Sequence, residues 1–322
     1  MITVNIPYFD LRRIMNSGQI FRMCEPSDGR FVVYSADRRL ELAQNGTKIN
    51  FYCDEPEFAY WKRYFDLDRD YAGMIRTALD SGDEFIKAAC SQNCGIRILR
   101  QDLWEMLISF IISQQKQIPS IRKCIEALSE KFGEKRDGWY TFPTAEAIAS
   151  GGAEGLKGLS LGYRERYIYE TSVEWLKKGL DSTAVENMEL TEALKYFRSF
   201  TGVGEKVANC VALFGAGFVD AFPIDTHIKD ILYREYYLKD AQRPGRTAYS
   251  AGQQSPKKKA GNHQRSNCVE DSRYCLPQKE LKQTDYEELA ERHFSRFAGY
   301  RGIVQQWIFA YELEVQRPKL TK

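Results

Sequence analysis

The spacing of apolar residues changes near residue 56 and separates two kinds of predicted structure. Before that point, short runs of strand-forming residues lie at 31–34, 39–42 and 48–51. Turn-forming sequences precede and separate these runs at 27–29 and 44–46. Such runs, bounded by Asp-Gly and Asn-Gly turns, are typical of paired strands. Up to about residue 52, the pattern therefore predicts strands and turns that form an antiparallel sheet.

After residue 56 the apolar period becomes helical. Apolar residues recur at helical spacing over 58–65 and 71–79, and residues 103–113 form a strongly apolar stretch that predicts a core helix. Short loops then alternate with helices, and a final helix is predicted to start near Asp285. We therefore predict an α+β fold with an N-terminal antiparallel β-sheet domain over residues 1–90 and a mostly helical region over residues 91–322.

A glycine-containing turn between two predicted helices is the first sign of function. One helix ends near Phe200, the turn covers Gly202, Val203 and Gly204, and a second helix begins near Glu205. Two glycines one residue apart suggest backbone conformations that side chains would obstruct. The free N–H groups of the turn and of the helix start can bind a phosphate oxygen. This helix-hairpin-helix could hold a nucleic-acid backbone, although most such turns only reverse the chain.

Two side chains beside the turn could carry chemistry. Lys206 lies in the first turn of the second helix, where the helix dipole disfavours a charged ammonium. Desolvation would favour the neutral amine further and make it a usable nucleophile. Asp225 follows a break at Phe222-Pro223 and is predicted to cap a third helix. Taken singly, each residue fits a structural role better, Lys206 as a solvated helix lysine and Asp225 as a helix cap.

Composition limits the kind of nucleic-acid site and argues against a cofactor. The formal net charge is only +2, so a nucleic-acid footprint must be local. No stretch reads as a signal peptide or a membrane span. The eight cysteines are expected to be reduced thiols, because Cys90-Cys94 and Cys268-Cys275 each lack the further ligands that zinc or an iron–sulfur cluster needs. We therefore predict neither a metal nor a cofactor.

The motifs resemble a known family of DNA repair enzymes. GVGEKVANC at 202–210 followed by AFPIDTHI at 221–228 is similar to the helix-hairpin-helix DNA glycosylases of the endonuclease III superfamily, and most of all to the 8-oxoguanine DNA glycosylase family. The resemblance implies that Lys206 attacks the sugar and that Asp225 stabilises the charge that develops. It also implies that Cys210 and the lysine sandwich the base and that His227 contacts a phosphate. Cys210 and His227 also fit simple packing roles.

Two further segments resemble the base-reading parts of that family. SGQIFR at 17–22 is similar to its SGQ-x-FRW segment, which implies that the Gly18 carbonyl accepts a hydrogen bond from N7–H of the damaged base. Normal guanine has a hydrogen-bond acceptor at N7 and no N–H there, so one backbone acceptor can distinguish the damaged base from guanine. Residues 297–309 resemble PYAGWAQAVLF, which implies that Gln305 binds the Watson–Crick edge and Phe309 stacks on the base. A turn glycine, a surface amide and a core aromatic are the alternatives.

The resemblance also extends to the segments that contact the opposite strand. LSLGYRERY at 159–167 is similar to LGLGYRARY, which implies that Tyr163 wedges into the stack and that Arg164 donates to the opposite base. Gln115, in a polar loop, matches an asparagine that contacts the orphaned cytosine. Ser120 lies where many eukaryotic members carry an arginine. Because a hydroxyl cannot replace a bidentate cation, strict preference for cytosine is in doubt.

The resemblance implies a bifunctional glycosylase and abasic-site lyase that excises 8-oxoguanine from duplex DNA in base excision repair. We expect a monomer without a membrane partner, nucleoid-associated in the cytoplasm of a prokaryote or nuclear in a eukaryote. An alkylpurine DNA glycosylase would share the hairpin and Asp225 but lack Lys206, and a non-catalytic hairpin module would have little need for either. The segment near 240–282 is basic and without apolar period, and we expect a solvated insertion.

Overall fold

The computed structural model describes residues 1–178, 182–241 and 277–320. The chain forms two compact units, one made of Met1–Pro223 with Phe297–Lys322 and the other of Ile224–Arg296. Most of the predicted basic insertion, residues 242–276 with Cys268 and Cys275, lies outside the described residues. The predicted domain boundary near residue 90 stays a prediction.

The predicted N-terminal sheet is confirmed and has five antiparallel strands in the order β1-β5-β4-β3-β2. The strands are β1 Ile2–Asn5, β2 Met23–Ser27, β3 Arg30–Ser35, β4 Arg38–Asn45 and β5 Lys48–Phe51. Pairing of Val33 with Leu40 and of Leu42 with Phe51 places apolar side chains on one face. The expectation of only strands and turns in this region is wrong at helix α1, Leu11–Asn16, because the Asp10 side chain accepts from Arg13 N–H and starts a helix.

Helices make up most of the remaining described chain, which confirms the α+β class. Those of the first unit up to the hairpin are α2 Glu55–Tyr64, α3 Tyr71–Leu79, α4 Glu84–Asn93, α5 Leu103–Ser113, α6 Ile118–Phe132, α7 Ala145–Gly155, α8 Arg164–Lys178, α9 Ser182–Glu186, α10 Leu190–Arg198 and α11 Glu205–Phe214. A small hairpin of β6 Lys135–Arg136 and β7 Trp139–Tyr140 follows α6. Aspartate caps start several helices: the side chains of Asp54, Asp70, Asp83 and Asp102 each accept backbone N–H groups at the start of α2, α3, α4 and α5.

The second unit contains α12 Thr226–Ile231, a π-helix at Leu232–Tyr237, α13 Leu238–Ala241, a 3-10 turn at Gln278–Glu280 and α14 Gln283–Phe294. Helix α14 confirms the predicted helix start near Asp285, but α14 is not the final helix that the sequence predicts. The chain turns at 295–300, and a separate helix, α15 Arg301–Leu320, follows in the first unit. Gly299 has a φ of +89°, its N–H donates to Asp220, and Arg301 pairs with the same carboxylate.

Helix α5 is the most apolar element of the first unit. All of its residues except Trp104 are buried, including the polar Glu105 and Ser109. It packs against α6, α8 and α11. Because every side of the helix is covered, its position and its C-terminal end at Ser113 are fixed by packing on several neighbours. Among the described residues, no helix combines the length and apolar character that a bilayer crossing requires.

A buried glutamine holds the segment that contains Gly18. The Gln19 side chain donates to the carbonyl of Arg97 at 2.9 Å and accepts from the N–H of Leu99 at 2.9 Å. Its own carbonyl accepts from the Gln101 side chain at 2.8 Å. These backbone groups of Arg97, Leu99 and Gln19 are therefore satisfied by side chains and not by a strand partner.

A buried carboxylate joins the sheet to α5. Glu105 accepts the N–H of Ala36 at 2.7 Å and lies 3.9 Å from the Arg22 guanidinium. Burial raises the pKa of Glu105 from an ordinary 4.5 to about 7, although Arg22 lowers it in part. The folded protein therefore holds a proton on Glu105 at a pH where the unfolded chain has lost it.

We predict that Glu105 makes the protein less stable as the pH rises from 5 to 8. Glu105 has a higher pKa in the folded protein, about 7, than in the unfolded chain, 4.5. Its contribution to stability is therefore complete below pH 4.5 and is lost as the pH rises through about 7. The free energy of unfolding should therefore fall by about 3 kcal/mol, because each unit of pKa shift corresponds to about 1.36 kcal/mol. Urea unfolding midpoints of Glu105→Gln should change less over this interval. The exposed Glu130→Gln serves as the control and should follow wild type; a parallel loss in Glu105→Gln would contradict the assignment.

Candidate active site

The hairpin turn between α10 and α11 is built around Gly202. This glycine has a φ of +78°, and a Cβ there would lie 2.6 Å from the Tyr167 ring, so the expected need for glycine is confirmed. Thr201 donates its N–H and its hydroxyl to the two oxygens of Glu174, at 2.9 and 2.8 Å. For Gly204 the same expectation is wrong, because its φ is −91° and a Cβ would meet no atom within 4 Å.

The start of α11 offers N–H groups next to this turn. Gly204 is the N-cap, and no side chain of the described residues makes a capping hydrogen bond to it. The N–H of Val203 is already used, since it donates to the Phe200 carbonyl at 3.1 Å. The N–H groups that could donate to a phosphate oxygen are therefore those of Gly204 and of the first turn of α11.

Lys206 is half-buried in the first turn of α11 and points at the end of α5. Its Nζ lies 3.4 Å from Ser113 Oγ and 5.3 Å from the centre of the Phe110 ring. Ser113 donates its own hydroxyl proton to the Phe110 carbonyl at 2.8 Å, so its oxygen is left to accept from the lysine. Phe110 stacks on Phe214 with ring centres 5.5 Å apart, which fixes the aromatic face under the amine.

The base-reading residues predicted on α15 meet the Gly18 segment. Gly18 has a φ of +82°, and a Cβ there would lie 3.0 Å from Phe309. Gln306, which the sequence did not point to, donates to the Ser17 carbonyl at 2.6 Å and holds the two segments together. Gln305, one turn before Phe309, is only 3% exposed.

Only one of the two polar atoms of the Gln305 side-chain amide has a hydrogen-bond partner among the described residues. Its Nε2 donates to the Pro223 carbonyl at 3.2 Å, whereas its Oε1 is buried and has no hydrogen-bond partner among the described residues. A buried acceptor without a partner costs free energy unless a ligand supplies a donor. Cys210 is buried on α11, one turn after Lys206.

The residues predicted to reach the opposite strand differ in exposure. Tyr163 is 48% exposed, and Gln115 is also exposed, with a φ of +50°. Arg164 is only 6% exposed, and its guanidinium donates to the carbonyls of Leu161 and Gln114. In this structure Arg164 therefore stabilises the neighbouring loop. Ser120 is exposed and lies in the first turn of α6.

Two predicted site residues belong to the second unit. Asp225 is the N-cap of α12, as the sequence predicts, and its side chain accepts the Ile228 N–H at 2.9 Å. His227 is half-buried in the first turn of the same helix. Within residues 1–178, 182–241 and 277–320, no three His, Cys, Asp or Glu side chains converge as metal ligands would.

Two family descriptions match the sequence in succession. Residues 1–107 match the 8-oxoguanine DNA glycosylase, N-terminal domain, and residues 108–255 match the HhH-GPD superfamily base excision DNA repair protein. Together they run without a gap from the first strand through the hairpin and past α13. The chain belongs to the 8-oxoguanine DNA glycosylase family.

Relatives of this family match part of the chain in sequence. The N-glycosylase/DNA lyase of Saccharomyces cerevisiae is 31% identical over 208 residues, which are 59% of this chain and 55% of that protein. The N-glycosylase/DNA lyase OGG1 of Arabidopsis thaliana is 33% identical over 161 residues, 45% of this chain and 42% of that protein. The chain therefore spans about half the length of these curated relatives.

Solved structures of the family match nearly the whole chain. The 8-oxoguanine glycosylase/lyase of Clostridium acetobutylicum, in complex with double-stranded DNA containing cytosine opposite 8-oxoG, has a TM-score of 0.77 at 28% identity; the match covers 96% of this chain and 93% of that one. MBOgg1 in complex with a low affinity DNA ligand has a TM-score of 0.79 at 29% identity, with 98% and 96% covered.

The two hairpin glycines should respond differently to alanine. Gly202→Ala should destabilise the protein by about 2 kcal/mol or more, because alanine is strained at positive φ and its Cβ would overlap Tyr167. Gly204→Ala is the matched control and should change stability by less than about 1 kcal/mol. Thermal unfolding of both variants measures the difference, and equal losses would show that the turn does not depend on the conformation of Gly202.

Proposed function

We propose that this protein is a bifunctional DNA glycosylase and abasic-site lyase that excises 8-oxoguanine from duplex DNA. The observation that carries the proposal is the half-buried Lys206 amine, which lies directly after the glycine-containing hairpin turn and beside Ser113 and Phe110. An amine in this position can attack the sugar of a nucleotide whose backbone the hairpin holds. Membership of the family supports the same reading.

The reaction begins when the damaged nucleotide leaves the stack, since its sugar carbon is inaccessible in the duplex. The Lys206 amine then attacks the anomeric carbon, the glycosidic bond breaks, and the base departs with the bonding electrons. Asp225 stabilises the positive charge that develops on the sugar. Loss of a proton from the lysine nitrogen and ring opening give an imine. Removal of the neighbouring sugar proton then expels the 3′ phosphate by β-elimination.

Recognition of the lesion rests on acceptors that fit its donors. The Gly18 carbonyl accepts the N7–H that 8-oxoguanine carries and guanine lacks. The buried Gln305 Oε1 accepts an N–H of the Watson–Crick edge and thereby gains the partner that it lacks within residues 1–178, 182–241 and 277–320. Phe309 stacks on the extruded base, and Cys210 faces it together with Lys206.

Two other functions account less well for the site. An alkylpurine glycosylase would share the hairpin and Asp225, but it would not need an amine at Lys206. A non-catalytic DNA-binding module would need the hairpin without either residue. We propose that the protein acts as a monomer on duplex DNA, with Gln115, Tyr163 and His227 contacting DNA beside the lesion. Its compartment is the nucleus or the nucleoid, according to its source.

Borohydride trapping tests the imine. A duplex with 8-oxoguanine should give a covalent adduct with wild type and none with Lys206→Gln, because the amide cannot form an imine. Lys87→Gln is the control, since Lys87 lies on α4 and pairs there with Glu84. If Lys206→Gln traps the duplex as wild type does, the lysine has been misassigned. If wild type neither traps DNA nor releases the base, the proposed activity is wrong.

The opposite base tests the assignment of Ser120. Wild type should excise 8-oxoguanine opposite all four bases at comparable rates, because a serine hydroxyl does not make the bidentate contact of an arginine. Ser120→Arg should raise the preference for cytosine about tenfold, in line with 1–3 kcal/mol for a good bidentate pair. Ser120→Lys is the control, because lysine carries the same charge as arginine but lacks the planar guanidinium that makes two parallel hydrogen bonds. A sharp cytosine preference in wild type would contradict the assignment.

A further inference from the structure

The loop after α5, residues 114–117, is fixed by contacts on three sides. Lys116 donates to the Ser160 carbonyl at 2.8 Å, and Arg164 donates to the Gln114 carbonyl. The third contact is made by the side chain of Gln114, whose Nε2 donates to the Gly202 carbonyl at 3.0 Å and to the Ile111 carbonyl at 3.2 Å. Gln114 therefore bridges the loop and the hairpin turn.

Each end of this bridge belongs to a rigid part of the first unit. Gly202 is fixed by its positive φ and by the neighbouring Thr201–Glu174 hydrogen bonds. Gln114 follows Ser113 at the end of the buried helix α5 and is itself half-buried. A side-chain donor between two fixed backbone carbonyls sets the distance between the elements that carry them.

We propose that Gln114 is a positioning residue. It holds the loop 114–117, which faces the opposite base, at a fixed distance from the hairpin, which holds the DNA backbone. The proposal rests on the proposed function, in which Gln115 meets the unpaired base and the hairpin meets a phosphate. Without the bridge, the loop would enter the duplex less often and less deeply. The chemical step at Lys206 would be unaffected, because Gln114 makes none of the lysine contacts observed at Ser113 and Phe110.

The experiment separates entry of the loop from the chemistry. A duplex carries a tetrahydrofuran abasic analogue opposite 2-aminopurine, whose fluorescence rises when it is unstacked. The same proteins are trapped with borohydride on a single-stranded abasic oligonucleotide, which has no opposite base. The variants are Gln114→Met, which keeps the side-chain length and loses the donor, and Gln92→Met, a matched control at an exposed glutamine of α4 that bonds Glu314 and lies outside the loop and the hairpin.

Gln114→Met should weaken duplex binding about fivefold, which is typical for loss of one hydrogen bond, and should reduce the maximal fluorescence rise. Its single-strand trapping should equal that of wild type, and Gln92→Met should match wild type in both assays. Unchanged binding and fluorescence in Gln114→Met would overturn the proposal. An equal loss in both assays would also overturn it, since that indicates a general loss of folded protein. Failure of wild type to trap either substrate would instead count against the proposed function.

Discussion

The C-terminal end of helix α5 is the point on which the site in the first unit depends. The helix is buried on every side, so its last turn cannot shift without disturbing the packing of α6, α8 and α11. That last turn supplies the aromatic face and the hydroxyl that contact Lys206. The residue that follows it bridges to the hairpin. A buried and largely apolar helix thus supports a polar site.

Around this support, the protein uses side chains to fix irregular backbone. Three side chains bond backbone groups outside the sheet: Gln19 bonds those of Arg97 and Leu99, Glu174 bonds the hairpin turn at Thr201, and Gln306 bonds the carbonyl of Ser17 beside Gly18. Gln305 differs, because its buried side-chain Oε1 has no hydrogen-bond partner among the described residues.

Much of this fold could be predicted from local sequence. The strands follow from turn-bounded apolar runs, α5 from its apolar composition, and the hairpin and the Asp225 cap from Gly and Asp at helix ends. Helix α1 was missed because it has only six residues and depends on one capping bond from Asp10. The break before α15 was missed because it depends on Asp220, about 80 residues away in the chain. Ser113 and Gln114 carry no local signal, since their importance arises only where α5 meets the hairpin.

The central claim is that Lys206 is the residue that bonds to the sugar. Peptide mapping by mass spectrometry of the wild-type adduct, reduced with borohydride on an 8-oxoguanine duplex, tests it most directly. The account predicts that the nucleotide is attached to Lys206, in the peptide that contains the GVGEKVANC sequence. Attachment to another lysine or to the N-terminal amine would contradict it.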